Sequence, residues 1–423
     1  TAATASKEKL SALFKVVKKV DDVQEEVKAA PATPDGGETP AVVALNADDI
    51  FGKLADVVTL TETATVIQKE AEDVARKAGK TEAQIKAAGE VGGEAGFEAV
   101  LENADKADKL VKVVDAAKGA GADDSLAAVL KSADKAVQME EIVATENAKK
   151  KKVEDDARAA GKSEFEIAAE MKIAEEASAK KASALFKVVK KVDDNKEEVK
   201  ALPTTPDGGE GTPVVVALNA DDIFGKLGDV VTLTETATTF GTNEDAFESV
   251  LENPLMAQDL VKVVDAAKDL FKDVKGEGAS DSLSLEAVLK SADQADKLAA
   301  VVKKAREIDG GAESGAEQAK LGALFDVVKK VEDAKETAKT AAPGAAGAVN
   351  VSHVFANIEA VVELAETAAD AATTADGDAD EDAKSAFLDN VFKVADKAGE
   401  LQAVVQAAQF AQGTAADDDT KTK

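Results

Sequence analysis

Cysteine, tryptophan and tyrosine are absent from this chain, and histidine occurs once. Without cysteine there are no disulfide staples and no thiol chemistry, and the chain gives no redox clue to its compartment. The lone imidazole, His353, forms neither a metal site nor a catalytic triad by itself. No long apolar run is present either. The longest uncharged stretch, residues 340–358, contains Pro343, Gly344, Gly347, Asn350, Ser352 and His353, which makes it too polar to span a bilayer. The sequence also lacks GxxxxGK[ST], GxSxG and HExxH patterns. No carboxylate pair sits in the apolar, aromatic-lined surroundings that raise a pKa for acid–base work. The expectation is a non-enzyme with no catalytic, cofactor-binding or metal-binding residues.

Acid is what the chain has in excess. Lys and Arg number 52 against 82 Asp and Glu, a formal charge of −30 that repels a phosphate backbone or an anionic lipid surface. Nucleic acid is therefore excluded as a partner, whereas weak association of divalent cations with the acidic surface is expected. Hydrophobic residues make up 45% of the chain, enough for cores, but much of that fraction is alanine, so each core is thin and stability rests on helix packing.

The chain repeats itself. SALFKVVKKVDD at Ser11–Asp22 returns letter for letter at Ser183–Asp194, and GALFDVVKKVED begins at Gly322. PATPDGGETPAVVALNADDIFGKLADVVTLTETAT, ending at Thr65, reappears with one inserted residue, Gly211, ending at Thr238. The segment around Phe97, EAGFEAVLENADKADKLVKVVDAAK, matches EDAFESVLENPLMAQDLVKVVDAAK around Phe247, and DSLAAVLKSADKA at Asp124 matches DSLSLEAVLKSADQA at Asp281. A third copy shows AVNVSHVF near Val349 and FKVADKAGELQAVVQAA near Phe392, and lacks a fourth unit. This predicts three modules: 1–180 with an extra long-helix insertion, 181–318, and 319–423, divergent and shortened.

Within each copy the apolar spacing is helical. Phe97, Val100, Leu101, Ala104, Ala107, Leu110, Val111, Val114 and Ala117 step by three and four, which predicts one helix with one buried face. The same template fits Leu13, Val16, Val17 and Val20, then Leu126, Val129, Leu130 and Ala133, and again Leu388, Val391, Phe392 and Ala395. The fold class that follows is all-α: three tandem helical-bundle repeats built from related amphipathic helices joined by Pro/Gly-rich loops. Asp105 with Lys109, and Asp293 with Lys297, are spaced for i,i+4 ion pairs. Asn46 and Asn219 are set to cap helices that begin with Asp48, Asp49 and Asp221, Asp222. Gly79, Gly119 and Gly161 are expected to close helices, and Thr81 with Gln84 and Ser163 with Glu166 read as capping boxes. TPAVVAL and TPVVVAL, with their β-branched runs, are the only segments that suggest a short extended arm.

Other features have simple readings. TPDGGETP and TPDGGEGTP are turn-rich connectors. TTADGDADEDAK alternates Asp376, Asp378 and Asp380 as a calcium loop does, but Glu381 and Phe387 stand where such a loop needs Gly and Glu. His353 takes the helix-start place of Asp49 and Asp222. Lys149–Lys152 is a basic run bracketed by Glu141, Glu146, Glu154, Asp155 and Asp156, a solvated helix face. Asn350-Val351-Ser352 is the single N-glycosylation sequon. Phe51, Phe97, Phe224 and Phe247 recur at helix starts and core positions as packing anchors.

These features point to a non-enzymatic, secreted or cell-surface structural protein. Its tandem modules form a rod, and it assembles with its own kind as a homo-oligomer or polymer, into filaments or a surface layer. The polar start TAATAS, from Thr1, suits a mature chain whose signal peptide has been removed. The alternative is a surface adhesin, or an amphipathic-helix carrier for a host protein, a hydrophobic ligand or a lipid particle. An intracellular scaffold or granule coat rests on the same helices.

Overall fold

The computed structural model describes residues 2–29, 45–201, 217–242, 244–271, 279–307, 315–340, 350–372 and 381–405. Among the described residues every regular element is a helix and no strand occurs. The two suspected arms, 39–45 and 212–218, lie mostly outside the described residues.

The chain divides into two compact units, 1–231 and 232–423. The first holds α1 (Ala2–Ala29), α2 (Ala47–Gly52), α3 (Leu54–Lys77), α4 (Glu82–Gly89), α5 (Ala95–Glu102), α6 (Ala107–Gly119), α7 (Leu126–Lys131), α8 (Ala136–Ala159), α9 (Glu164–Ala201) and α10 (Ala220–Gly225). It also holds the start of α11 (Leu227–Thr239). Packing follows chain order. α3 lies against α1, α4, α5 and α6, while α5 meets α7, α6 meets α8, and both α7 and α8 meet α9. The second unit holds the rest of α11, then α12 (Glu244–Glu252), α13 (Ala257–Phe271), α14 (Ala279–Lys290), α15 (Ala295–Glu307), α16 (Gly315–Thr340), α17 (Val351–Ala356), α18 (Ile358–Ala372) and α19 (Glu381–Lys393). There α12 packs on α14, α13 on α15, α14 on α16, α16 on α18 and α18 on α19.

The helix expected through Phe97 and Ala117 is in fact two. α5 stops at Glu102, a 3-10 turn spans Ala104–Lys106, and α6 begins at Ala107. Asn103 makes the break: its side-chain amide folds back to donate to the Ala99 carbonyl at 3.0 Å, and its carboxamide oxygen accepts from Lys106 Nζ. The jog shifts the helical phase, so Val113 is buried where the single-helix stripe counted Val111, which is only half-buried. Related 3-10 turns occur at Ala133–Lys135, Pro254–Met256, Ala292–Gln294 and Ala395–Lys397. They also undo the expected i,i+4 pairs. Asp105 and Asp293 fall within the 3-10 turns, outside α-helical register, so Asp105 makes no ion pair with Lys109, and Lys297 bonds Gln294 instead of Asp293.

The helix ends follow local chemistry. Asn46 Oδ1 accepts from the amides of Asp48 and Asp49, Asn219 does the same for Asp221 and Asp222, and Asn350 caps α17 through the His353 amide. The α3–α4 and α8–α9 hairpins share one turn. Gly79 and Gly161 each sit at φ 70, Lys80 N donates to Ala75 O, and Lys162 N to Ala157 O; then Thr81–Gln84 and Ser163–Glu166 form reciprocal caps. Gly119 does not close α6. It is the last helical residue, and Gly121, at φ 68, takes the left-handed place while Ala122 N donates to Ala117 O.

α9 runs unbroken for 38 residues, straight through positions 180–181, where the second sequence copy begins.

Candidate interaction surface

The repeated ALFKVV segment is the most informative place in the structure, because the same letters meet different surroundings. In α9, Leu185, Phe186 and Val189 are fully buried, and so are Leu324, Phe325 and Val328 in α16. In α1 the corresponding Phe14 is 69% exposed. Leu10 and Val17 are exposed beside it, at the i, i+4, i+7 spacing of a single helix face. Phe51 of α2 is 50% exposed, while its counterparts Phe224 and Phe355 are buried. Phe97, Phe224 and Phe247 are thus packing anchors as expected, and Phe51 is not. Among the described residues no helix covers the exposed half of Phe51.

α1 is held only by its other side. Ala12, Val16 and Val20 are buried, and α1 packs on α3. Lys15 Nζ stands 4.6 Å from the centre of the Phe97 ring, and burial pulls its ammonium below the usual lysine range. Lys19 pairs with Glu98 at 2.7 Å.

In α9 and α16 the related segment is covered by neighbouring helices. α7 and α6 lie against α9, and α14, α15 and α13 lie against α16. Lys131, at the end of α7, reaches Asp193 of α9 at 3.0 Å and Glu197 at 3.7 Å. Lys135, in the following 3-10 turn, reaches Asp221 of α10 at 2.6 Å. That hydrogen bond holds the Asp221 carboxyl below the ordinary carboxylate range and raises the Lys135 ammonium. In the second unit, Lys290 lies 3.8 Å from Glu336 of α16, and Ser291 Oγ donates to Glu332 at 3.1 Å. The carboxylates of Asp21 and Asp48, which repeat Asp193 and Asp221, are exposed and make no ion pair among the described residues.

A cavity of about 850 Å3 opens between α6, α8 and α9, floored by Ala116, Ile142, Val143 and Leu185. Its rim is charged and partly paired. Lys112 pairs with Glu140 at 2.9 Å, and Glu146 holds Lys149 at 2.7 Å and Lys181 at 4.0 Å. The four-lysine run is accordingly a helix face with one member tied to Glu146, one at the cavity rim and two exposed.

His353 is exposed in α17. Residues 33–40, 205–213 and 373–380, which hold the two connectors and the acidic Asp376–Asp380 stretch, lie outside the described residues. Among the described residues no group of three or more His, Asp or Glu could hold a metal ion, and no helix is long and apolar enough to cross a membrane. The exposed face of α1 and α2 had no signal in the letters, since an identical segment is buried elsewhere. Among the described residues, what distinguishes it is the lack of a covering helix. No family model matches the chain, and neither a curated protein nor a solved structure is similar to it.

Proposed function

We propose that this chain is a non-enzymatic structural protein of the cell surface or the secreted space, and that it self-associates into filaments or a surface layer. In this reading it is built of three tandem helical-bundle repeats, 1–180, 181–318 and 319–423. The observation that carries it is the contrast between Phe14 and Phe186: the same segment is closed within the chain at one place and open at another. A surface that packs against its own relatives within a chain can do so between chains. Exposed Leu10, Phe14, Val17 and Phe51 supply the apolar centre of such a contact, and the acidic exterior limits unspecific aggregation.

The test is size-exclusion light scattering of the purified chain over a concentration series, beside negative-stain microscopy. Concentration-dependent oligomers and regular filaments or sheets are expected. A monodisperse monomer at every protein, salt and divalent-ion concentration removes the reading. The cavity between α6, α8 and α9 favours a second one, a carrier of a hydrophobic ligand, which saturable binding of an apolar fluorophore displaced by Ile142→Lys would support.

A further inference from the structure

We infer that the open face of α1 and α2 is covered by the last helical unit, residues 387–405, of a second copy of the chain. This rests on the self-association proposed above and names the contact that carries it. The segment Val391–Ala398, VFKVADKA, differs from Val129–Ala136, VLKSADKA, only at Phe392 and Val394. VLKSADKA and its relative VLKSADQA, from Val288, belong to the elements that lie over ALFKVV in α9 and the related ALFDVV in α16. The last unit of the chain is therefore of the covering type as well as of the kind around Phe97.

Its outer face is as open as that of α1. Leu401 is 39% exposed and Val404 66%, whereas Leu298 and Val301, their counterparts in α15, are buried. Val394 is exposed at the position of Ser291, which is buried and bonded to Glu332 of α16. Lys393 and Lys397 are exposed with no ion-pair partner among the described residues, and they repeat Lys131 and Lys135. Within the chain those two lysines hold Asp193 and Asp221. The carboxylates that repeat Asp193 and Asp221 are Asp21 and Asp48, which are also unpaired.

Two incomplete surfaces thus carry the two halves of one contact, with matching charges: Lys393 for Asp21, Lys397 for Asp48, and Val394, Leu401 and Val404 for the apolar face of Leu10, Phe14, Val17 and Phe51. Because the halves differ, the contact is heterologous. Each copy accepts one neighbour on α1 and offers residues 387–405 to another, so growth is head to tail.

Sedimentation velocity on the full chain tests this. Wild type is expected to associate with concentration, Asp21→Lys and Lys393→Glu each to weaken association by about tenfold, and the double variant to recover it. Phe14→Lys and Leu401→Lys should each be monomeric, yet form a 1:1 dimer that grows no further when mixed. These positions are exposed, so unchanged helical circular dichroism is the folding control. Association that survives both Lys393→Glu and Leu401→Lys, or a mixture that stays monomeric while wild type assembles, overturns the inference and leaves self-assembly standing. A wild-type chain that is monomeric throughout overturns both. Phe14-dependent binding of that monomer to phosphatidylcholine vesicles would assign the face to lipid instead.

Discussion

Lys131 and Asp193 meet at 3.0 Å with only 13% and 14% of their side chains exposed, while Lys19 and Glu98 meet at 2.7 Å with 35% and 47% exposed. The pairs are alike in length and differ in what breaking them costs. Lys131→Met leaves Asp193 poorly solvated and is expected to destabilise the chain by about 1–3 kcal/mol. Lys19→Met, in a solvated pair, is expected to cost less than about 1 kcal/mol. Urea unfolding followed by circular dichroism separates them.

The two identical segments make a matched experiment. Phe186→Ala opens a cavity in a closed core and is expected to cost about 3–5 kcal/mol. Phe14→Ala removes the same atoms from solvent and should change stability by less than about 0.5 kcal/mol. Equal losses of melting temperature would mean that α1 is covered in the isolated chain.

Two glycines of the first unit do different work. A Cβ on Gly93, in the π-helical turn Glu90–Glu94, would lie 2.4 Å from Ala64 O and 2.9 Å from Gln68 N, both backbone atoms of α3. Gly93→Ala is therefore expected to destabilise by about 1–3 kcal/mol. A Cβ on Gly119 meets nothing within 4 Å at the end of α6, so Gly119→Ala is expected to stabilise by about 0.5–1 kcal/mol. Thermal melts of the two variants should move in opposite directions.

Acid should loosen the chain in a defined order. The carboxyls of Asp221 and Asp108 are held below their unfolded value by hydrogen bonds from Lys135 and Lys53, and that of Glu166 by the Ser163 side chain. A depressed carboxylate contributes stability above its unfolded pKa, and this is lost as pH falls through the folded value. Melting temperature is thus expected to drop from about pH 4 downward. The variants Asp221→Asn and Asp108→Asn should start lower at pH 7 and lose less on acidification. At the alkaline end the sign reverses. Lys135, Lys190 and Lys112 are raised by the hydrogen bonds they donate to Asp221, Asp194 and Glu140, so their contribution persists below the unfolded lysine pKa and disappears as pH rises through the folded one.

The letters carry what is local. Asn46 and Asn219 as caps, the Thr81–Gln84 and Ser163–Glu166 boxes, and the Gly79 and Gly161 closures depend on residues within one turn of each other, and all were legible. The break at Asn103 was not, because Leu101 and Ala104 are buried on either side of it and the apolar spacing reads on across a 3-10 turn. Gly121 was hidden behind Gly119 for a similar reason: both follow the last apolar step of α6, and only the dihedral angle tells them apart. Burial of the ALFKVV segment was beyond reach in principle, since Phe14 and Phe186 have identical neighbours in sequence and different neighbours in space.

α9 bears on how such a chain gains or loses copies. Its 38 residues, about 57 Å of continuous helix, carry the join between two sequence copies with no loop to absorb an error in length. One residue added at 180–181 turns everything beyond it by about 100° and swings Phe186 away from the helices that bury it. Any change of length at this join therefore has to respect helical phase if Phe186 is to stay buried.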